Sequence, residues 1–96
     1  MPADTDPEFY SRADAHINLS NGQISKSTRG KVSASMLFGT SRFNAWLSAT
    51  GFDSAEEMRQ GREDTIKFFV AEYEKMLAEN LDDYIQNFDR YMKPAK

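Results

Sequence analysis

The stretch ENLDDYIQNFDRYM, residues 79–92, decides how many helices the chain has. Leu81, Tyr84, Ile85, Phe88 and Met92 share one arc of about 120° on a helical wheel, with Glu79, Asp82, Gln86, Asp89 and Arg90 on the far side. That is an amphipathic helix. Ahead of it, Met58, Thr65, Ile66, Phe69, Tyr73, Met76 and Leu77 line the apolar face of another helical segment. Were the two one straight helix, it would be ~58 Å long at 1.5 Å per residue, whereas a compact domain of this length is ~30 Å across. The apolar face also turns by roughly 80° between the segments, opposite to the drift of a left-handed coiled coil. A break or sharp bend near Asn80 is therefore expected, with Asn80 capping a new helix and Asp83 in its first turn. One long bent helix is the alternative.

The carboxylates of this stretch do not converge. Asp82 and Asp89 lie about 10 Å apart along the axis, too far to hold one ion or to act as an acid/base pair. A calcium loop would need acids at alternate positions and a turn glycine. A solvated face is the plain reading, and a docking surface for a basic partner is the sharper one.

Working towards the N-terminus, Ser54-Ala55-Glu56-Glu57 is a capping box that opens the third helix. A second helix spans about Arg29 or Gly30 to Thr50, with Gly51 placed for a left-handed C-cap. Its main stripe is Val32, Met36, Gly39, Phe43, Trp46 and Leu47, and a flatter one holds Ala34, Phe38, Ala45 and Ala49. A helix apolar on two faces belongs between neighbours, either inside a bundle or at an oligomer interface. The first helix starts with Asp6 as cap and Pro7 at the first helical position. Phe9, Ala13, Ile17, Ser20 and Ile24 share its face, with His16 among them. Asn21-Gly22 marks a fraying end or a bend, and SKSTRGK (25–31) a loop. The expected architecture is all-α, an antiparallel bundle of three to four helices. It comprises one helical domain over 6–92, a disordered tail at 1–5 and a frayed one at 93–96.

Composition narrows the function classes. Ninety-six residues with 40% hydrophobic and 12% aromatic content can pack a core. With no cysteine there are no disulfides, thiolate metal sites or thiol catalysis. No apolar run approaches the ~20 residues of a membrane span, and MPADTDPEFY is unlike a signal peptide, so the expected setting is the cytoplasm, with no membrane partner. Between Asp14 and Asp53 there is no acidic residue, while Lys26, Arg29, Lys31 and Arg42 are basic. From Asp53 onward eleven acids face seven bases. The basic run is too short, in too acidic a field, for duplex nucleic acid.

Catalytic constellations are missing. His16, the one histidine, lacks the Glu-x-x-His pattern of di-metal bundles and is expected as a core or interface residue. There is no nucleophile elbow, and Gly30-Lys31-Val32 lacks the rest of a phosphate loop. No catalytic residue, metal or cofactor is assigned. Arg29 and Lys31, at the start of the second helix, are a candidate anion site. In the second helix, Arg42 beside Phe43 and Trp46 is a candidate interface, since Arg and Trp are favoured anchors.

The segments SRFNAW (41–46) and EYEKMLAENLDDYIQNFDRYM (72–92), with FYSRADAHINL (9–19) ahead of them, resemble a small family of proteobacterial proteins of unknown function. The resemblance covers about residues 9 to 92. It implies a bacterial, cytoplasmic, helical protein and carries no activity, ligand or catalytic residue. His16 and Trp46 stand where an aromatic is expected in relatives, which speaks against a shared catalytic histidine.

Two readings of function follow. The first is a non-enzymatic interaction module, a homodimer or an adaptor for a protein partner, with Phe38, Arg42, Phe43, Trp46, Tyr84 and Phe88 facing the partner or a ligand. The second is a carrier or sensor of a small apolar or anionic ligand between helices two and three, near Phe43, Trp46, Phe69 and Tyr73. An enzyme of unidentified class comes third.

Overall fold

The computed structural model describes residues 6–93, and all of its regular structure is helical. The expected tails at 1–5 and 94–96 lie outside the described residues. Five helices follow in order: α1 (Phe9–Ile24), α2 (Arg29–Ala49), α3 (Ala55–Gln60), α4 (Arg62–Gln86) and α5 (Phe88–Met92). The all-α expectation holds. The count exceeds three to four because the third helix is split at Gly61 and the last is a short one. The chain divides into two compact units between Leu47 and Ser48, within the last turn of α2.

In the first unit, α1 begins two residues later than its cap signal suggests. Asp6 accepts from the Glu8 amide through its carboxylate (2.9 Å) and from the Phe9 amide through its carbonyl (3.1 Å). Asp6 thus closes a turn over Pro7 and Glu8 instead of capping the helix directly, and Arg12 reaches back to pair with its carboxylate. Asn21-Gly22 does not end the helix, which runs on to Ile24. Ser25–Thr28 then reverse the chain. The Thr28 hydroxyl accepts from the Lys31 amide (3.2 Å), the N-cap bond of α2. After the turn, the Ser20 hydroxyl on α1 meets the Met36 sulfur on α2 at 3.3 Å. Phe9, Ala13 and Ser20 are half-buried along the face that the spacing foretells.

The second unit opens on the expected capping box, with one shift. Ser54 is extended (φ −157°, ψ 162°) and its hydroxyl accepts from the Glu57 amide at 3.1 Å. The Glu57 carboxylate accepts from the amide of Asp53, one residue before the cap, at 2.7 Å. Gly51 does not take the left-handed conformation expected of it, since no described glycine has positive φ. Instead the end of α2 tightens, the Gly51 amide donating to Ser48 (3.0 Å) and that of Phe52 to Ala49 (3.2 Å). The chain then turns to begin α3, which stops at Gly61, and α4 starts at the next residue.

The expected break at Asn80 is absent. α4 passes through it, and the Asn80 side-chain amide donates to the Met76 carbonyl one turn back (2.9 Å). No glycine or proline stands between Gly61 and Gln86 to interrupt the ladder. The deviation comes at Asn87 (φ −119°, ψ 29°), whose side chain donates to both the carbonyl and the carboxylate of Asp83 (3.1 and 2.9 Å). The Tyr91 hydroxyl donates to the other Asp83 oxygen (3.0 Å), and the Tyr84 and Tyr91 rings lie 4.8 Å apart. The alternative reading, one long helix with a bend, describes 62–92 better than two capped helices.

Candidate surface for association

The candidate site is a surface, because little of the apolar pattern is covered. Val32 is the one buried residue among those described, and twenty-two large hydrophobic side chains are exposed. The stripe of α2 expected between neighbours is thus open in this chain: Met36, Phe43, Trp46 and Leu47 are exposed, as is Phe38 on the flatter face. Phe43 and Trp46 are one turn apart and in ring contact, 5.6 Å between centroids, with Trp46 59% exposed. Arg42 stands beside them, also exposed and without an ion-pair partner among the described residues.

Apart from Arg12, which pairs with Asp6, the cations of the first unit share that condition. Lys26, Arg29, Lys31 and Arg42 make no salt bridge among the described residues, while Arg59, Arg62, Lys75 and Lys93 in the second unit each hold an acid close by in sequence. Of the anion candidates, Lys31 lines an open groove of about 260 Å³ at the α1–α2 turn, with Gln23, Lys26, Ser27, Val32 and Ser35. Arg29 is not part of its lining. The sequence reading thus names one of the two lysines of the groove and misses Lys26, which the turn brings beside Lys31.

The histidine expected in a core or interface is exposed on α1 and makes no hydrogen bond among the described residues. Ile17, Leu19 and Ile24 on α1 are exposed as well, while Phe9, Ala13 and Ser20 are half-buried. Among the described residues there is no cluster of acidic and histidine side chains able to hold a metal, and no buried side-chain polar atom lacks a partner. No described helix is long and apolar enough to cross a membrane.

Tyr84 and Phe88, the remaining interface candidates, belong to a longer exposed stripe on α4 that continues past its end. Ile66, Val70, Tyr73, Leu77, Leu81, Tyr84 and Phe88 are all exposed. At 100° per residue they fall within an arc of about 80°. The sequence reading divided this stripe at Asn80 and so treated one face as two.

Helices of this kind, with their apolar faces open among the described residues, define an all-α protein. The chain belongs to the family described as "Protein of unknown function (DUF3144)", which matches residues 9–85. It is similar to the protein NB7890A from Shewanella sp, whose NMR structure matches it with a TM-score of 0.76 at 37% identity. That match covers 92% of this chain and 94% of the other. No curated protein matches the chain. The family assignment agrees with the resemblance read from the sequence and, like it, brings no activity.

Proposed function

We infer that the protein is a non-enzymatic association module of the bacterial cytoplasm, acting through helix faces that become covered when it binds itself or a protein partner. The observation that carries this reading is the ratio of exposed to buried apolar residues: twenty-two large hydrophobic side chains exposed against Val32 buried. Each Leu, Ile, Phe or Met moved from water into an interface contributes about 1.5–3 kcal/mol when fully covered. Soluble proteins rarely leave contiguous apolar patches of this extent open without a use for them. The unpaired cations on the first unit suit a protein partner with acidic rims, where such charges steer encounter. Support for the cytoplasm is the absence of cysteine and of a spanning helix among the described residues.

The test is crosslinking inside the native host with a tagged chain at its natural level. The expected product is a stoichiometric species, of the chain with itself or with one other protein, whose crosslinked peptides come from α2 or α4. Recovery of the uncrosslinked chain alone, under conditions that trap known complexes in the same cells, overturns the reading.

A further inference from the structure

The exposed stripe on α4 has a symmetry that says what fits it. From Ile66 to Phe88 the steps between its members are four, three, four, four, three and four residues, which read the same in both directions from Leu77. A helix laid antiparallel on its own copy about a two-fold axis at Leu77 therefore places an apolar side chain opposite an apolar one in every layer. Leu77 meets Leu77 at the centre. Tyr73 shares a layer with Leu81 of the second copy, Val70 with Tyr84, and Ile66 with Phe88. A parallel pairing would align the two helix dipoles and lay the acidic C-terminal half of α4, with Glu79, Asp82 and Asp83, along its own copy, whereas the antiparallel pair opposes the dipoles and sets that half beside the one that carries Arg62, Lys67 and Lys75.

Area points the same way. The stripe members are between two-fifths and three-fifths exposed. With fully exposed aromatic side chains worth 150–250 Å² and aliphatic ones somewhat less, they present on the order of 700 Å² of apolar surface. A specific dimer needs about 800 Å² from each partner, polar flanks included. Within α4 the band also stays straight: Ile66 and Tyr84 stand at the same angle about five helical turns apart, so two nearly straight helices can keep it in register. Glu74 and Asn80 stand at its margins, where long polar side chains reach solvent.

We propose that α4 is a self-association helix which pairs, antiparallel and two-fold symmetric about Leu77, with α4 of a second copy of this chain. This deepens the association reading by naming the partner and the face, and it rests on that reading. The pairing covers Tyr84 and Phe88, and the Phe43–Trp46 pair of α2 is not a member of this stripe.

The chain has no cysteine, so single introduced thiols report the geometry without background. In the purified full chain, light scattering should give twice the 11.0 kDa chain mass. Leu77→Glu, which sets two carboxylates against each other on the axis, should return the mass to that of one chain with helicity unchanged by circular dichroism. Under mild oxidation Leu77→Cys should form a disulfide-linked dimer. Val70→Cys and Tyr84→Cys should each stay unlinked alone and link when mixed. A monomer across the accessible concentration range overturns the proposal, and so does a dimer in which Val70→Cys links to itself, the sign of a parallel pair. A dimer that survives Leu77→Glu overturns it too, by placing the seam elsewhere. In these cases the association reading is judged separately by crosslinking in the host, where a partner found on α2 would leave it standing.

Discussion

The ring of Phe52 lies over Gly61, so closely that a Cβ on the glycine would stand 3.0 Å from Cζ and 3.1 Å from Cε1. The backbone there (φ −90°, ψ 3°) is open to any residue. Glycine is needed for space, not for conformation. Phe52, in the loop after α2, packs against the point between α3 and α4 where the helix is interrupted.

That relationship predicts a coupling. Alanine is favoured over glycine in a helix by up to about 1 kcal/mol, but with Phe52 present its methyl must displace the ring. Gly61→Ala should be more favourable by about 1 kcal/mol in a Phe52→Ala background than in the native chain. Urea unfolding of the four species measures it. Additive effects, within the ~0.3–0.5 kcal/mol seen for independent sites, would mean the ring does not hold this position.

Asn80 offers a sign test between two accounts of the same residue. As an N-cap it would lose about 1 kcal/mol on replacement by alanine. Inside α4, with its side chain bonded back to Met76, it competes with the helix, and alanine should stabilise by a few tenths of a kcal/mol. Asn80→Ala is expected to raise the midpoint of thermal unfolding slightly, measured at a fixed chain concentration that holds any association constant. A fall of several degrees would restore the break.

At the other end of the chain the titration of Asp6 reports the first turn. The Arg12 side chain, then the Glu8 amide and the Arg12 charge, hold its carboxyl below the ordinary value of 3.8. Because the folded value is the lower one, this contribution is complete above about pH 3.8 and is lost as the pH falls through the folded value. Arg12→Ala should move the Asp6 titration back towards 3.8, followed by its side-chain carbonyl resonance. An unmoved midpoint would mean the pair does not persist in solution. The pair lies at the surface, so no large change in overall stability is expected.

How far the fold could be read from the sequence depended on whether the signal was local. Ser54 and Glu57 carry their chemistry within four residues, and the cap formed one amide away from its expected place. Gly61 was legible in principle, as a glycine inside a helical run followed by Glu63 and Asp64, the acids of a first turn. The reading passed over it because the apolar spacing ran on across it. Asn80 failed for a different reason. The diameter of a compact domain limits helix length only where the apolar faces are covered within the chain, and here they are open. Periodicity shows which residues share a face and says nothing of what lies on it, so spacing alone does not tell whether Phe43, Trp46, Tyr84 and Phe88 are covered within the chain. Lys26 entered the groove only because the turn at Ser25–Thr28 carries it beside Lys31, a proximity in space that spacing alone does not give.

Burial then separates two residues of one helix that the sequence places on a single stripe. Val32 is 6% exposed and Trp46 59%. Removing two carbons from a buried valine gives up about 0.8 kcal/mol each in transfer, with a cavity contribution added, so Val32→Ala should cost about 2 kcal/mol. Truncating a buried tryptophan costs about 3–5 kcal/mol, but Trp46 keeps most of its surface in water and touches chiefly Phe43. Trp46→Ala should therefore cost under about 1 kcal/mol, the larger residue giving the smaller loss. Urea unfolding by circular dichroism at one fixed concentration compares the two. If Trp46→Ala proved the more damaging, the ring would be covered in solution, and its sole-tryptophan fluorescence would show a blue-shifted emission that reddens on dilution where the cover is another molecule. An emission already at the solvent-exposed wavelength, with a small cost of truncation, is the expected result for a face held open until a partner arrives.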